Sequence, residues 1–229
     1  MTTPRIYKTE AIVLRQRKLG EAGKIVTLYT PNYGKLDAVA KGVRRPKSRL
    51  AGHLEVLTHT AVMLAQGRNL DTVTQAQTVE SFAPLRADLH RLSRALYAAE
   101  LVDRFSPEGA EGYHVFQLLL ATLRRLVSAK NVDTVLRHLE MQLLSLSGFQ
   151  PQLGRCVNCE RILAAAPSYF SPDAGGVLCP SGRASRRKQN RNAQECLHGP
   201  LLPPTTPPLL RRPFIAAPLL NSMPAGSSP

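Results

Sequence analysis

The first eighty residues carry no helix-length apolar pattern before Pro84, only short apolar or β-branched runs separated by turn residues. Ala11–Leu14 and Ile25–Tyr29 are two such runs, and Leu36–Lys41 is a third. Leu54–Ala65 reads as a long fourth strand through Leu54, Val56, Leu57, Val62, Met63 and Leu64. Leu70–Val79 makes a fifth, with Thr72, Thr74 and Thr78 where β propensity favours them. Pro31-Asn-Tyr-Gly34 and Gln66-Gly-Arg-Asn69 are turn sequences. Five short strands leave exposed edges unless the sheet closes, so a small barrel is expected. An OB barrel is the common five-stranded case, and an SH3-like barrel fits the same pattern.

Charge is concentrated on this segment. Lys41-Gly-Val-Arg-Arg-Pro-Lys-Ser-Arg49 holds five cations and no acid, and it leaves directly from the third strand. Burying unpaired charges costs several kcal/mol each, so this is a solvated loop. Gly42 and Pro46 make it turn. Taken alone, such a run is equally an ordinary solvated turn. A cluster held by a sheet suits a polyanion, because each neutralised phosphate releases counterions. A second basic loop, Arg15–Lys24, is read between the first two strands, and it supplies Arg15, Arg17, Lys18 and Lys24 as flanking contacts. Tyr7, Tyr29 and Tyr33 are the aromatics on which bases could stack, although Tyr29 reads better as core.

Net charge is +14, distributed as +7 over residues 1–80, +1 over 81–180 and +6 over 181–229. A basic segment joined to a neutral one fits nucleic acid better than a membrane. No apolar run is long enough to span a bilayer and the N-terminus has no apolar signal core, so a cytoplasmic protein is expected.

Residues 85–148 read as three helices. Leu85, Leu89, Leu92, Leu96 and Ala99 mark the first, continued by Val102 and Phe105 to Ser106-Pro107. Tyr113–Val127 is the second, strongly apolar through Phe116, Leu119, Leu120, Leu123 and Leu126. Asp133 is expected to cap the third, whose stripe is Val135, Leu136, Leu139, Leu143 and Leu144 up to Gly148. His90, His114 and His138 are scattered along these helices and suggest no site.

Cys156-Val-Asn-Cys159 is followed about twenty residues later by Cys179, a zinc-ribbon spacing. The second knuckle would place its fourth thiolate at position 182, where the chain has Gly182. Cys196 and His198 lie downstream without tight-turn spacing. A structural metal on Cys156, Cys159 and Cys179 is favoured over unpaired cysteines, and a redox pair at Cys156 and Cys159 is disfavoured because no thioredoxin-like βαβ pattern surrounds them. From Pro180 the character changes: ten of the 18 prolines lie in residues 180–229, beside a single acid, Glu195. That composition reads either as a disordered basic tail or as an out-of-frame C-terminus.

Several segments together resemble one family. Glu10-Ala-Ile-Val-Leu14, Gly20-Glu21, Ile25–Thr30, Gly34-Lys-Leu, Ala38-Val-Ala-Lys-Gly-Val-Arg-Arg45 and Lys47-Ser48 resemble the RecO recombination mediators of bacterial DNA repair. The Cys156/Cys159, Tyr169-Phe170 and Gly175-Gly176-Val-Leu-Cys179 segment is similar to that family's zinc module. The resemblance implies an α+β multidomain protein with an N-terminal OB fold, a central helical domain and a four-cysteine zinc finger. On this chain the segments would be 1–80, 81–150 and 151–182, followed by a basic Pro-rich tail over 183–229. It implies binding to single- and double-stranded DNA, strand annealing, and partnership with RecR and single-stranded-DNA-binding protein in loading RecA at the nucleoid. The chain departs from the family pattern at Gly182 and over its last 49 residues.

The expected function is therefore DNA repair without bond chemistry. Lys41, Arg44, Arg45, Lys47 and Arg49 are the expected phosphate contacts, and zinc is the structural cofactor. The sequence has no P-loop, Gly-x-Ser-x-Gly or His-Glu-x-x-His motif, so an enzyme is not expected. An RNA-binding or ribosome-associated OB protein is the competing expectation.

Overall fold

The structure, a computed structural model, describes residues 6–163 and 167–186. The chain divides into two units, Met1–Arg183 and Ala184–Pro229. The elements below belong to the first, and the Pro-rich segment read as a basic tail lies outside the described residues from position 187 onward.

Five strands form a closed barrel: β1 (Ile6–Leu19), β2 (Gly23–Thr30), β3 (Gly34–Ala40), β4 (His59–Ala65) and β5 (Asp71–Glu80). Their order is β1-β2-β3-β5-β4, and β4 pairs back onto β1 antiparallel. The β3–β5 contact is parallel, with Ala38 opposite Asp71. Closure reduces the edge problem posed by five short strands, although the β3–β5 seam is short, with only Ala38 and Val39 paired to Asp71 and Thr72.

β1 is buried on both faces. Ala11 and Val13 point into the barrel with Val26, Leu28, Ala38, Leu64 and Val73. Ile12 and Leu14 point outward into a second core, which they share with Tyr29 and the helices. The barrel and the helical segment are thus joined by apolar packing through β1 and β2.

Two strand expectations need correction. Arg15–Lys24 is not a loop: β1 runs to Leu19, and only residues 20–22 turn before β2 starts at Gly23. The pairs Arg15–Thr27, Gln16–Val26 and Arg17–Ile25 continue the ladder past a register shift at Val13/Arg15. Nor is Leu54–Ala65 one strand. Gly52–Leu54 is a 3-10 turn, and Leu57 takes φ +69°, so the strand begins only at His59. The break sends Leu54 into the barrel core and Leu57 into the helical core. Backbone bonds between Leu57 N and Val13 O (2.8 Å) and between Val13 N and Thr58 O (3.1 Å) fasten this crossing to β1.

The helices are α1 (Ala83–Ala87), α2 (Leu89–Phe105), α3 (Tyr113–Ser128) and α4 (Val132–Leu146). The single helix expected from Leu85 to Phe105 is broken at Asp88, which is extended at φ −119°. Its Oδ1 accepts from the N–H groups of His90 (2.9 Å) and Arg91 (3.2 Å), satisfying two free donors of the first turn. The α2 stripe is also shifted. Ala95, Ala98, Ala99 and Val102 are buried, whereas Leu89 is 80% and Leu96 43% exposed. Small residues let α2 lie close to its neighbours, and Leu89 and Leu96 stand outside the buried seam. α3 keeps its expected apolar face of Phe116, Leu119, Leu120, Leu123 and Leu126. α4 is capped by Asn131 rather than Asp133, with Asn131 Oδ1 accepting from Thr134 N at 3.1 Å. Asp133, in the first turn, pairs with Arg94 instead.

A small hairpin, β6 (Tyr169–Ser171) and β7 (Gly176–Leu178), carries the cysteine segment. Gln152 bonds to the backbone of Gly175 and Val177, tying the hairpin to the chain that precedes Cys156.

Candidate nucleic-acid interface and metal centre

The basic loop leaves β3 at Lys41 and is pinned from below. Val43 is buried in the barrel core, while Lys41, Arg44, Arg45, Lys47 and Arg49 are exposed. Arg44 N donates to Ala22 O at 3.1 Å, which ties the loop to the β1–β2 turn. Short turns, Arg45 N to Gly42 O and Ser48 N to Arg45 O, hold the remainder, and Gly42 has φ +67° as a tight turn requires. Among the described residues no acid lies within ion-pair distance of these five cations. The result is a fixed, uncompensated positive rim at one end of the barrel.

The four flanking cations are placed differently. Arg17 pairs with Asp37 at 2.5 Å and Arg15 with Asp103 at 3.6 Å. Lys24 donates to Gln16 Oε1 at 2.7 Å and lies 4.0 Å from Glu55. Lys18 stands opposite Lys24 across the β1–β2 ladder, exposed and without an ion-pair partner among the described residues. Lys35, which sequence reading passed over, reaches Asp103 at 3.4 Å and holds β3 to α2. Partners so distant in sequence left no local signal.

The aromatics are not arranged along the rim. Tyr29 is buried and its hydroxyl accepts from Ser106 Oγ at 3.4 Å, so it is core, as its sequence suggested. Burial raises its pKa, and the Ser106 hydrogen bond opposes that shift. Tyr7 donates to Asp71 and packs against Tyr33, with ring centroids 4.7 Å apart. Burial first, then the Asp71 carboxylate, pushes the Tyr7 phenol far above its ordinary range.

In the cysteine module, the Sγ atoms of Cys156, Cys159 and Cys179 lie within 4.8 Å of one another. Cys159 and Cys179 are 3.6 Å apart. A tetrahedral zinc with Zn–S bonds of about 2.3 Å separates its sulfurs by about 3.8 Å, so the three thiols fit one ion. They are close enough to hold a metal, and zinc is compatible with them. The backbone around them already donates to sulfur: Cys179 N to Cys156 Sγ at 3.4 Å, and Gly182 N to Cys179 Sγ at 3.3 Å. Burial pushes the Cys156 thiol up, but the N–H groups of Cys179, Asn158 and Cys159 outweigh it and bring it down to about 6. Cys179 is lowered by the Ser181 hydroxyl and the Gly182 N–H. Position 182 does face the cluster, yet glycine supplies only its backbone there. Cys196 and His198 lie outside the described residues.

The matches to known proteins cover the barrel, the helices and the cysteine module together. Residues 1–82 match the family model for the N-terminal part of recombination protein O, and residues 86–198 match the model for its C-terminal part. The DNA repair protein RecO of Dehalococcoides mccartyi (strain CBDB1) is 45% identical over 183 residues, which is 80% of this chain and 72% of that protein. The chain belongs to the RecO family. Among other RecO proteins, that of Roseiflexus sp. (strain RS-1) is 49% identical over 77% of this chain and 62% of its own length. That of Pelotomaculum thermopropionicum is 42% identical over 76% and 68%. RecO relatives of this kind are DNA repair proteins, and repair and recombination are the processes to which the chain is assigned. Among its described residues no helix is long and apolar enough to cross a membrane.

Proposed function

We propose that this RecO-family protein binds single- and double-stranded DNA through an OB-type barrel and anneals complementary strands without catalysing bond chemistry. The observation that carries the reading is the five-cation rim, anchored by Val43 and free of acidic partners among the described residues. Such a rim lowers the repulsion between two phosphate backbones and leaves base edges free to pair. The strand order, closing β4 onto β1, supports the OB reading. Family membership supports a role with RecR and single-stranded-DNA-binding protein in loading RecA, in the cytoplasm at the nucleoid. The metal's part is structural: three thiolates on one ion would lock the β6–β7 hairpin to the Cys156 knuckle.

The test is fluorescence-monitored annealing of complementary oligonucleotides, with and without single-stranded-DNA-binding protein. The full chain should accelerate annealing. Replacing Lys41, Arg44, Arg45, Lys47 and Arg49 by Ala should abolish that acceleration. It should also flatten the slope of log K against log salt for single-stranded DNA by about 3.5. An unchanged slope would remove the rim from the interface, and tighter binding to structured RNA than to DNA would favour an RNA-binding role.

A further inference from the structure

An OB barrel ordinarily presents the outer side of its second and third strands to a nucleic acid. Here one end of that side is covered by the helices and its polar groups are engaged with one another. Thr27 Oγ1 and Arg17 both bond to Asp37, each at 2.5 Å, across β1, β2 and β3. Lys35 and Arg15 close on Asp103 of α2, and Tyr29 is buried under the helices. The barrel has another open side. A groove of about 950 Å³ runs over β1, β4 and β5, and Arg49 of the basic loop stands on its wall.

The lining of this groove mixes an apolar floor, with Leu50, Ala61, Met63 and Ala76, and a set of polar and cationic side chains. Lys8 of β1, Arg49 and His53 supply cationic or donor groups, and Thr74, Gln75 and Gln77 of β5 supply hydroxyl and amide groups. His53 is fixed in one tautomer: its Nδ1 accepts from Thr78 N at 3.2 Å and lies 2.8 Å from Thr78 Oγ1. A ring nitrogen that accepts from a backbone N–H leaves the proton of the neutral ring on the other, so Nε2–H is a donor. The one acid on the lining, Glu10, is engaged at 3.0 Å by His59 Nε2. Side-chain amides offer both a donor and an acceptor, which suits base edges of any sequence.

We propose that the β1–β4–β5 groove is the base-side track for a single strand of nucleic acid whose backbone is held on the Lys41–Arg49 rim. Arg49 joins the two surfaces, Lys8 takes a further phosphate, and Gln75, Gln77 and His53 Nε2–H contact bases or sugars. This rests on the reading of the rim as a phosphate contact. With no tyrosine, phenylalanine or tryptophan on its lining, the track binds bases weakly and releases them to pair, as annealing requires.

The chain contains no tryptophan, so a single substitution creates a unique fluorophore. Full-length Gln77→Trp and Gln75→Trp are titrated with oligo-dT at low salt, beside Leu89→Trp as a control on an 80% exposed helix position. Anisotropy of a labelled oligo-dT reports total binding in parallel. Quenching in both groove variants but not the control is expected, and Lys8→Ala should reduce the log K against log salt slope by about 0.7. Should a groove variant fail to fold, the Lys8→Ala slope decides. Full anisotropy binding with silent groove tryptophans and an unchanged Lys8→Ala slope overturns the track and leaves the rim reading standing. Absence of anisotropy binding by the unsubstituted protein overturns both.

Discussion

A methyl group placed on Gly182 would stand 2.8 Å from Cys156 Sγ and 3.4 Å from Cys179 Sγ. Position 182 therefore faces the thiol cluster, and the Cys156 thiol must give way to admit a side chain there. The chain's departure from a four-cysteine pattern falls at the one knuckle position where a thiolate would complete a tetrahedral set.

Gly182→Cys should tighten metal binding. The gain expected is at least about tenfold, the smaller of the losses caused even by removing an outer hydrogen-bond partner of a metal ligand. Cobalt(II) absorption and the rate of zinc loss to a chelator measure it directly. If the unsubstituted chain already gives a four-thiolate cobalt spectrum, the fourth ligand comes from elsewhere in the chain, and Cys196→Ser is the next variant to examine.

The basic residues should divide into two classes. Arg44→Ala and Arg45→Ala each remove an unpaired cation, so each should lower the salt slope of single-strand binding by about 0.7. Arg17→Ala removes the partner of Asp37, and Arg15→Ala one of the two partners of Asp103. These two should change the slope less than Arg44→Ala does. Equal effects from all four would show that the ion pairs open when DNA binds.

Gly34 has φ +58°, and a Cβ there would lie 1.8 Å from Ala110 O. Both the left-handed backbone and the contact with the α2–α3 connection demand glycine. Gly34→Ala should destabilise the chain by about 3 kcal/mol, combining overpacking with the left-handed penalty. Urea unfolding measures it, and a loss below about 0.5 kcal/mol, the level of an ordinary surface change, would mean that the 106–112 segment does not pack on the β2–β3 turn.

The packing of α2 can be checked at two positions that periodicity alone would rank the wrong way round. Leu89→Ala should be nearly neutral, within about 0.5 kcal/mol, because Leu89 is 80% exposed. Ala95→Leu should cost about 1–3 kcal/mol, because Ala95 is fully buried in a close seam. Thermal unfolding of the two variants distinguishes this arrangement from one in which the leucines form the buried stripe.

Asp88 gives a pH signature. The Arg91 N–H is the largest influence on its carboxyl and, with the His90 N–H and the nearby Arg91 charge, holds it below the ordinary value against desolvation. A carboxyl depressed in the folded state stabilises fully above its unfolded pKa and loses that contribution as pH falls through the folded value. The stability difference between the unsubstituted chain and Asp88→Ala should therefore be present at neutral pH and shrink under strongly acidic conditions. A difference that stays constant with pH would assign the cap to geometry alone.

Local sequence determined the existence of the five strands, the α3 stripe from Phe116 to Leu126, the turning, solvated nature of the Lys41–Arg49 loop and the spacing of the three cysteines. Each of these follows from side-chain period, turn chemistry or charge density within a few residues. Tertiary structure alone decided which cations stay free. Asp37 and Asp103 neutralise Arg17, Arg15 and Lys35 from other elements, and no window along the chain contains those pairs. It also decided that α2 buries its alanines and that Leu57 breaks the fourth strand, because closeness of approach is set by the neighbouring element. The groove on β1, β4 and β5 came from barrel closure, which brings Lys8, His53 and Gln77 to one surface across three separate stretches of chain.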